Sequence, residues 1–428
     1  MQTFTRIPSR DEWARFKRYA SWVRVLYPSD VIISDDVFRQ LSYATSGGPV
    51  CPQLRHLSWT SRYGWEHVQQ FISPYLVSVT FRGDGFAERY AGQPLASAIS
   101  LLPTTYLESL VLDETPRFLP IRFAVSKVVQ RLSTHFKRLT VPSLSDAAWA
   151  YLASLPNLES FWVSYTPPVD ISKLISHENA FPALEHVGIK VDNTSQHWSS
   201  LFSLLKSSPL RRVTVVTNPG NWGDDVAIQV TIAIIEAGLQ RSVDALIFTK
   251  FDPTNLTLVS CLGVFSSLKT LRCHTRCRGG QCVFPLTDPD IERLARGLPQ
   301  LVVIRAGHAC KYGHPNTTIR SMISLSTHCL SLKELRLPCD LTNVTEDAKT
   351  ESGEPDPRLE IRSPCTLKTL AFGWVAMPSL DDLKALRVVI LALHHLFPYL
   401  LPSGRDLRIV WEVVLDMDML ENPDVGAR

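Results

Sequence analysis

No stretch of this 428-residue chain offers the ~18 uninterrupted apolar residues that a membrane-spanning helix needs, and the opening MQTFTRIPSRDEWARFKRYA has no apolar core of signal-peptide length. The expectation is a cytoplasmic or nuclear protein with no membrane partner. Neither sign of charge dominates: 44 Lys and Arg stand against 41 Asp and Glu. Bulk attraction to nucleic acid or anionic lipid is thereby excluded, and any charged partner site must be local. Catalytic signatures are missing too. There is no phosphate-cradling glycine loop, no Gly-x-Ser-x-Gly elbow and no His-Glu-x-x-His, so the chain reads as a non-enzyme without cofactor. Nine unevenly spaced cysteines without a secretion signal read as reduced thiols. The sequons at Asn193, Asn255, Asn316 and Asn343 are then chance matches.

What the chain does have is one short phrase, repeated. A Leu-x-x-Leu-x-Leu-like core occurs at Leu54, Leu57 and Trp59, at Leu107, Leu110 and Leu112, and at Leu158, Phe161 and Val163. Later copies are Leu184-Val187-Ile189, Leu268-Leu271-Cys273, Leu332-Leu335-Leu337 and Leu367-Leu370-Phe372. This is a leucine-rich-repeat signature. Aligned on the first core residue, the phrases start at Ala20, Leu54, Leu76, Leu107, Phe136, Leu158, Leu184, Leu210, Val243, Leu268, Leu301, Leu332 and Leu367. A chain of this length outgrows one compact core, and such an array solves that by burying its core repeat by repeat.

Core and polar residues alternate within each phrase, as in Leu-Arg-His-Leu-Ser-Trp from Leu54 to Trp59, which is the period of a short strand. Between phrases, apolar residues recur at three and four spacing: Val37, Leu41 and Ala44; Val68, Phe71 and Ile72; Val125, Val128, Val129 and Leu132; Trp198, Leu201, Phe202 and Leu205. Ser34-Asp35-Asp36, Ser145-Asp146 and Asp288-Pro289-Asp290 are helix starts. The expected fold is therefore α/β: a solenoid, or horseshoe, with a parallel sheet on the concave face and helices on the convex face. We expect residues 1–19 to be a cap or linker, 20–411 a single array of about 13 irregular repeats, and 412–428 a tail. A polar, acidic segment at 341–363 reads as a mobile insertion. The apolar run from Leu383 to Leu396 and a last strand at Leu407 to Trp411 read as the end cap.

On such a sheet the residues between core positions face the concave side. Those positions carry Trp22, Arg24, Arg138, Trp162, Lys190, Arg212, Arg272, Arg305 and Arg336, with few acids. Arg272, Arg305 and Arg336 hold the same place in three consecutive phrases, roughly 5 Å apart across a sheet, close enough to grip one carboxylate or phosphate bidentately. The expected partner is a protein presenting an acidic or phosphorylated segment, with Trp162 as an aromatic contact. A polar sheet face also simply needs soluble side chains, and Arg is one. A second reading centres on Cys273, Cys277, Cys282 and Cys310, joined by His308 and His314, as soft ligands for tetrahedral zinc or as redox thiols. Their spacing matches no familiar zinc finger, and Cys also serves as a small core residue.

The opening segment DEWARFKRYASWVRVL, with Trp13, Phe16, Tyr19 and Val23, and the phrases CPQLRHLSW, LPNLESFWV and FPALEHVGI resemble the leucine-rich regions of F-box proteins of mushroom-forming fungi. The resemblance implies a substrate-recognition array of a ubiquitin ligase, whose partner is a protein destined for degradation; we expect the chain itself to be a monomer. The F-box itself, a helical module opening with Leu-Pro, is not found ahead of the first phrase, so the resemblance assigns a ligase-adaptor contact to no residue.

Overall fold

The structure is a computed structural model of the whole chain. It describes residues 6, 8–27, 33–60, 64–83, 92–113, 119–163, 179–191, 198–217, 224–251, 257–275, 283–284, 286–307, 314–342, 365–371, 375–376, 392–393 and 396–397. Contacts divide the chain into two units, 1–191 with 195–210, and 192–194 with 211–428.

Among the described residues the first unit carries seven strands, β1 (Val25–Leu26), β2 (His56–Thr60), β3 (Ser78–Arg82), β4 (Ser109–Asp113), β5 (Arg138–Val141), β6 (Ser160–Val163) and β7 (His186–Val191). Each pairs with the next, in parallel. Parallel neighbours need a crossover. The helices α1 (Arg10–Ala20), α2 (Asp35–Ala44), α3 (Gly92–Ser100), α4 (Leu119–Val129), α5 (Asp146–Ala153) and α6 (Trp198–Leu204) belong to this unit. Along β2, β3 and β4 burial alternates: Leu57 and Trp59, Val79 and Phe81, Leu110 and Leu112 are buried, while the residues between them are not. The predicted periods of two and 3.6 are therefore realised as an α/β unit with parallel strands.

The second unit repeats the pattern. Its strands β8 (Arg212–Thr217), β9 (Ala245–Phe251), β10 (Thr270–Thr275), β12 (Val303–Ala306), β14 (Glu334–Arg336) and β16 (Thr369–Ala371) also pair in parallel, in that order. The two-residue strands β11 (Val283–Phe284), β13 (His314–Pro315), β15 (Cys339–Asp340) and β17 (Val375–Ala376) pair as β11 with β13 and β15 with β17. Two-residue strands carry no period, so the sequence gives no sign of them. The helices are α7 (Asp224–Glu236), α8 (Thr257–Leu262), α9 (Asp288–Gly297) and α10 (Ile319–His328).

Local signals placed the helices well. Ser145 caps α5 by accepting from Ala148 N, and α9 begins at Asp288 behind Thr287, whose N–H and hydroxyl both donate to the buried Asp290 carboxylate. Burial pushes the Asp290 carboxyl up, but these Thr287 bonds and Arg293 pull it further down, below its ordinary value. Two expectations need correction. Val68–Phe71 is a short 3-10 turn instead of an α-helix, and the first phrase is displaced by three residues. Val25 pairs with His56, so Val23, and not Ala20, holds the place of Leu54; Ala20 ends α1. Trp22 and Arg24 consequently lie ahead of β1, with Trp22 exposed and set edge-on to Tyr19.

The six described cysteines are free thiols. Cys329 donates its S–H to the carbonyls of Ala295 and Leu298, and Cys365 donates to those of Cys329 and Leu332. Each buried thiol thus closes turn carbonyls of the preceding repeat. Burial pushes both up, Cys329 to about 12 and Cys365 to about 11, so the donating protonated form persists at neutral pH. None of the helices, among the described residues, is long and apolar enough to cross a membrane. The insertion at 341–363, beyond Leu341 and Thr342, most of the 383–396 run, and the 407–411 and 412–428 segments lie outside the described residues.

Candidate functional site: a basic strand face

Arg272, Arg305 and Arg336 come together in the second unit. Arg272 on β10 is in register with Arg305 on β12, and Arg305 with Arg336 on β14. Neighbouring strands lie ~4.8 Å apart, so the three guanidinium stems leave the sheet side by side. Inward neighbours fix their direction: Leu271, Ile304 and Leu335 are buried under the helical side, which turns the arginines to the opposite face.

Their charge is only partly answered. The Nε of Arg305 donates to Glu334 Oε1 on the adjacent strand. The Nε atoms of Arg272 and Arg336 are buried and find no hydrogen-bond partner among the described residues. A buried donor without an acceptor is costly, and most such groups in folded proteins are satisfied. Arg272 is held below the ordinary guanidinium value, by burial first and then by the positive charges of Arg305 and Arg212, against which Glu334 acts as a partial offset. An anion on this rung would relieve that repulsion.

Arg212, exposed on β8, occupies the row that continues through Ala245, Thr270, Val303 and Glu334. A further basic row escaped the sequence reading. Arg211, Lys269, Lys333 and Lys368 each stand immediately before a strand, and all are exposed. Backbone bonds hold them in a ladder with Asp244 and Val302: Asp244 N donates to Arg211 O, Lys269 N to Asp244 O, Lys333 N to Val302 O and Lys368 N to Lys333 O. A signal was present, since Leu-Lys recurs at the head of three phrases, Leu268-Lys269, Leu332-Lys333 and Leu367-Lys368. The corresponding row of the first unit reads Arg55, Val77, Glu108, Lys137, Glu159 and Glu185, and Lys137 is bonded to Glu108 at 3.0 Å. Among the described residues, the basic bias belongs to the second unit.

Arg138, Trp162 and Lys190 sit in the first unit. Arg138 is exposed between Ser109 and Ser160, and Lys190 is half-buried near the end of β7. Trp162 pairs with Gly188 across β6 and β7 and lies over it: a methyl group at Gly188 would fall 1.8 Å from the indole Cε3. The indole is thus held flat on the sheet instead of standing off it. Gly188→Ala must displace it, and we expect a loss of about 1–3 kcal/mol in stability. In a Trp162→Ala background that loss should fall below about 0.5 kcal/mol. Urea denaturation of the four proteins checks this, and additive losses would refute the contact.

Cys273 occupies an inward position on β10 and is buried, its thiol pushed up to about 12 by burial. His314 begins β13. Cys277, Cys282, His308 and Cys310 lie outside the described residues, so the zinc or thiol arrangement is placed only at these two members. No protein-family model and no curated protein matches the chain.

Proposed function

We propose that this chain is a leucine-rich-repeat solenoid that recognises a protein partner on the helix-free face of its strands, gripping an acidic or phosphorylated segment with Arg272, Arg305 and Arg336. The observation that carries this is the in-register rung itself, in which, among the described residues, one carboxylate answers the three arginines and two buried Nε donors have no acceptor. Arg212 and the row of Lys269, Lys333 and Lys368 extend the positive field along the same strands and would steer an acidic chain toward the rung. The fungal F-box resemblance adds a role: the bound protein would be a substrate for degradation, in the cytoplasm or nucleus, with the ligase linked through a module not identified in these residues.

Binding of labelled peptides of matched length, carrying neutral, Asp/Glu-rich or phosphoserine-containing sequences, tests the reading by fluorescence anisotropy. Acidic and phosphorylated peptides should bind, more weakly as salt rises. Hydrogen bonds to charged groups contribute ~1.5–3 kcal/mol each. Arg272→Ala combined with Arg336→Ala, which removes at least two such bonds, should therefore weaken acidic-peptide binding by at least about a hundredfold. Indifference to peptide charge, or an affinity unchanged in the double variant, would sink the proposal. Affinity purification from the source organism, probed for the ligase adaptor, tests the degradation role separately.

A further inference from the structure

We infer that Asp35, Glu66 and His67, in the first unit, form a site for a divalent transition-metal ion of the zinc type. The three residues come from two consecutive repeats: Asp35 opens α2, after β1, and Glu66 and His67 lie in the turn that follows β2. One donor atom from each lies within 4.8 Å of the other two.

The ring of His67 is fixed before any ion arrives. It is buried and stacks on Phe38, with centroids 4.4 Å apart and planes 17° from parallel, and Phe38 is itself buried on α2. Only its Nε2 end reaches the carboxylates, at 3.2 Å from Asp35 Oδ1 and 3.7 Å from Glu66 Oε1. Gly64, with φ at +74°, leaves the space the Glu66 carboxylate uses, since a Cβ there would lie 2.6 Å from Oε1. Trp59 holds that glycine by donating Nε1–H to its carbonyl at 3.1 Å.

A hydrogen bond from His67 to Asp35 accounts for one of these approaches and not the other. Nε2 carries at most one proton, which can serve one carboxylate, while Glu66 stays beyond bonding distance and both acids converge on the same atom. Zinc bonds to imidazole and carboxylate run ~2.0–2.2 Å, which sets donors ~3.3–3.6 Å apart around a tetrahedral ion. The observed 3.2 and 3.7 Å separations bracket that edge. One imidazole with two carboxylates suits zinc or manganese better than calcium, which prefers oxygen alone. With three protein ligands, water completes the sphere. Asp35 and Glu66 are both exposed, so the ion exchanges with solvent, and its effect is to clip α2 to the neighbouring turn.

Isothermal titration of the full chain with zinc, and cobalt absorption spectra, test this. We expect zinc uptake, no calcium uptake, and a cobalt spectrum with ligand-field bands but no thiolate charge-transfer band. Asp35→Asn and Glu66→Gln should each weaken zinc at least about tenfold; both are exposed, and circular dichroism verifies that each variant folds. No zinc uptake by the wild type, uptake untouched by both variants, or a thiolate band in cobalt would each overturn the assignment.

Discussion

Replacing Phe161 by Ala should lower the stability of the first unit by about 3–5 kcal/mol. Phe161 is buried on β6, between Leu139 and Val187 on the neighbouring strands. Its ring meets Trp149 of α5 edge-on, with centroids 5.0 Å apart, and stacks on Phe181 at 6.4 Å. Three aromatic side chains from three segments thus share one contact, and truncating the middle one forfeits both ring pairs as well as its buried area. Phe161→Leu keeps most of the volume and should cost less than about 2 kcal/mol. Urea denaturation followed by tryptophan fluorescence distinguishes the two. Equal losses would mean that the aliphatic bulk of leucine recovers nothing and that the ring contacts alone carry the effect. Because each repeat contacts mainly its neighbours, the damage should broaden the transition by uncoupling the flanking repeats.

Asp288→Ala is expected to cost about 2–4 kcal/mol, through a helix that Asp288 does not belong to. Asp288 opens α9, yet its carboxylate serves the start of α10: Oδ1 accepts from Thr318 N at 2.8 Å and from Ser321 N at 3.2 Å and its hydroxyl, while Oδ2 accepts from the Thr318 hydroxyl at 2.8 Å. One anion therefore answers the Thr318 N–H and shares that of Ser321, which also donates to Thr318 O at 3.1 Å, at a helix N-terminus where the macrodipole favours it. Asp288→Asn retains one oxygen acceptor and should lose about half as much. Hydrogen exchange localises the effect: amides in the first turn of α10 should lose protection in Asp288→Ala while those of α5 do not. Uniform protection across α10 would show that Thr318 and Ser321 cap the helix unaided.

Several of these features were legible in advance. The phrase spacing placed the strands at Leu57, Leu110, Phe161 and Leu335 in their observed register, because a one-residue slip would turn every apolar side chain to the solvent face. The Arg272, Arg305 and Arg336 rung follows from the same arithmetic. The first phrase failed because only four residues separate the end of α1 from β1, and Ala20, Val23 and Val25 mimic the core spacing that begins three residues later. The row of Lys269, Lys333 and Lys368 was missed for a different reason. Those lysines precede the strands, where no alternation marks a face, and only the backbone ladder lines them up.

The apolar period of the chain by itself determined that parallel strands alternate with helices, since burying one face of a strand and one stripe of a helix permits little else. It determined which side chains go inward, and hence which polar residues share a rung. Tertiary structure decided what those polar residues do to one another: that Glu334 pairs with Arg305 while the Nε donors of its neighbours have no acceptor among the described residues, that the indole of Trp162 lies over Gly188, and that Asp35, from one repeat, meets His67 of the next. Such contacts depend on rotamer, register and loop path, to within about an ångström. Periodicity fixes a residue's face but leaves the position of its terminal atoms free.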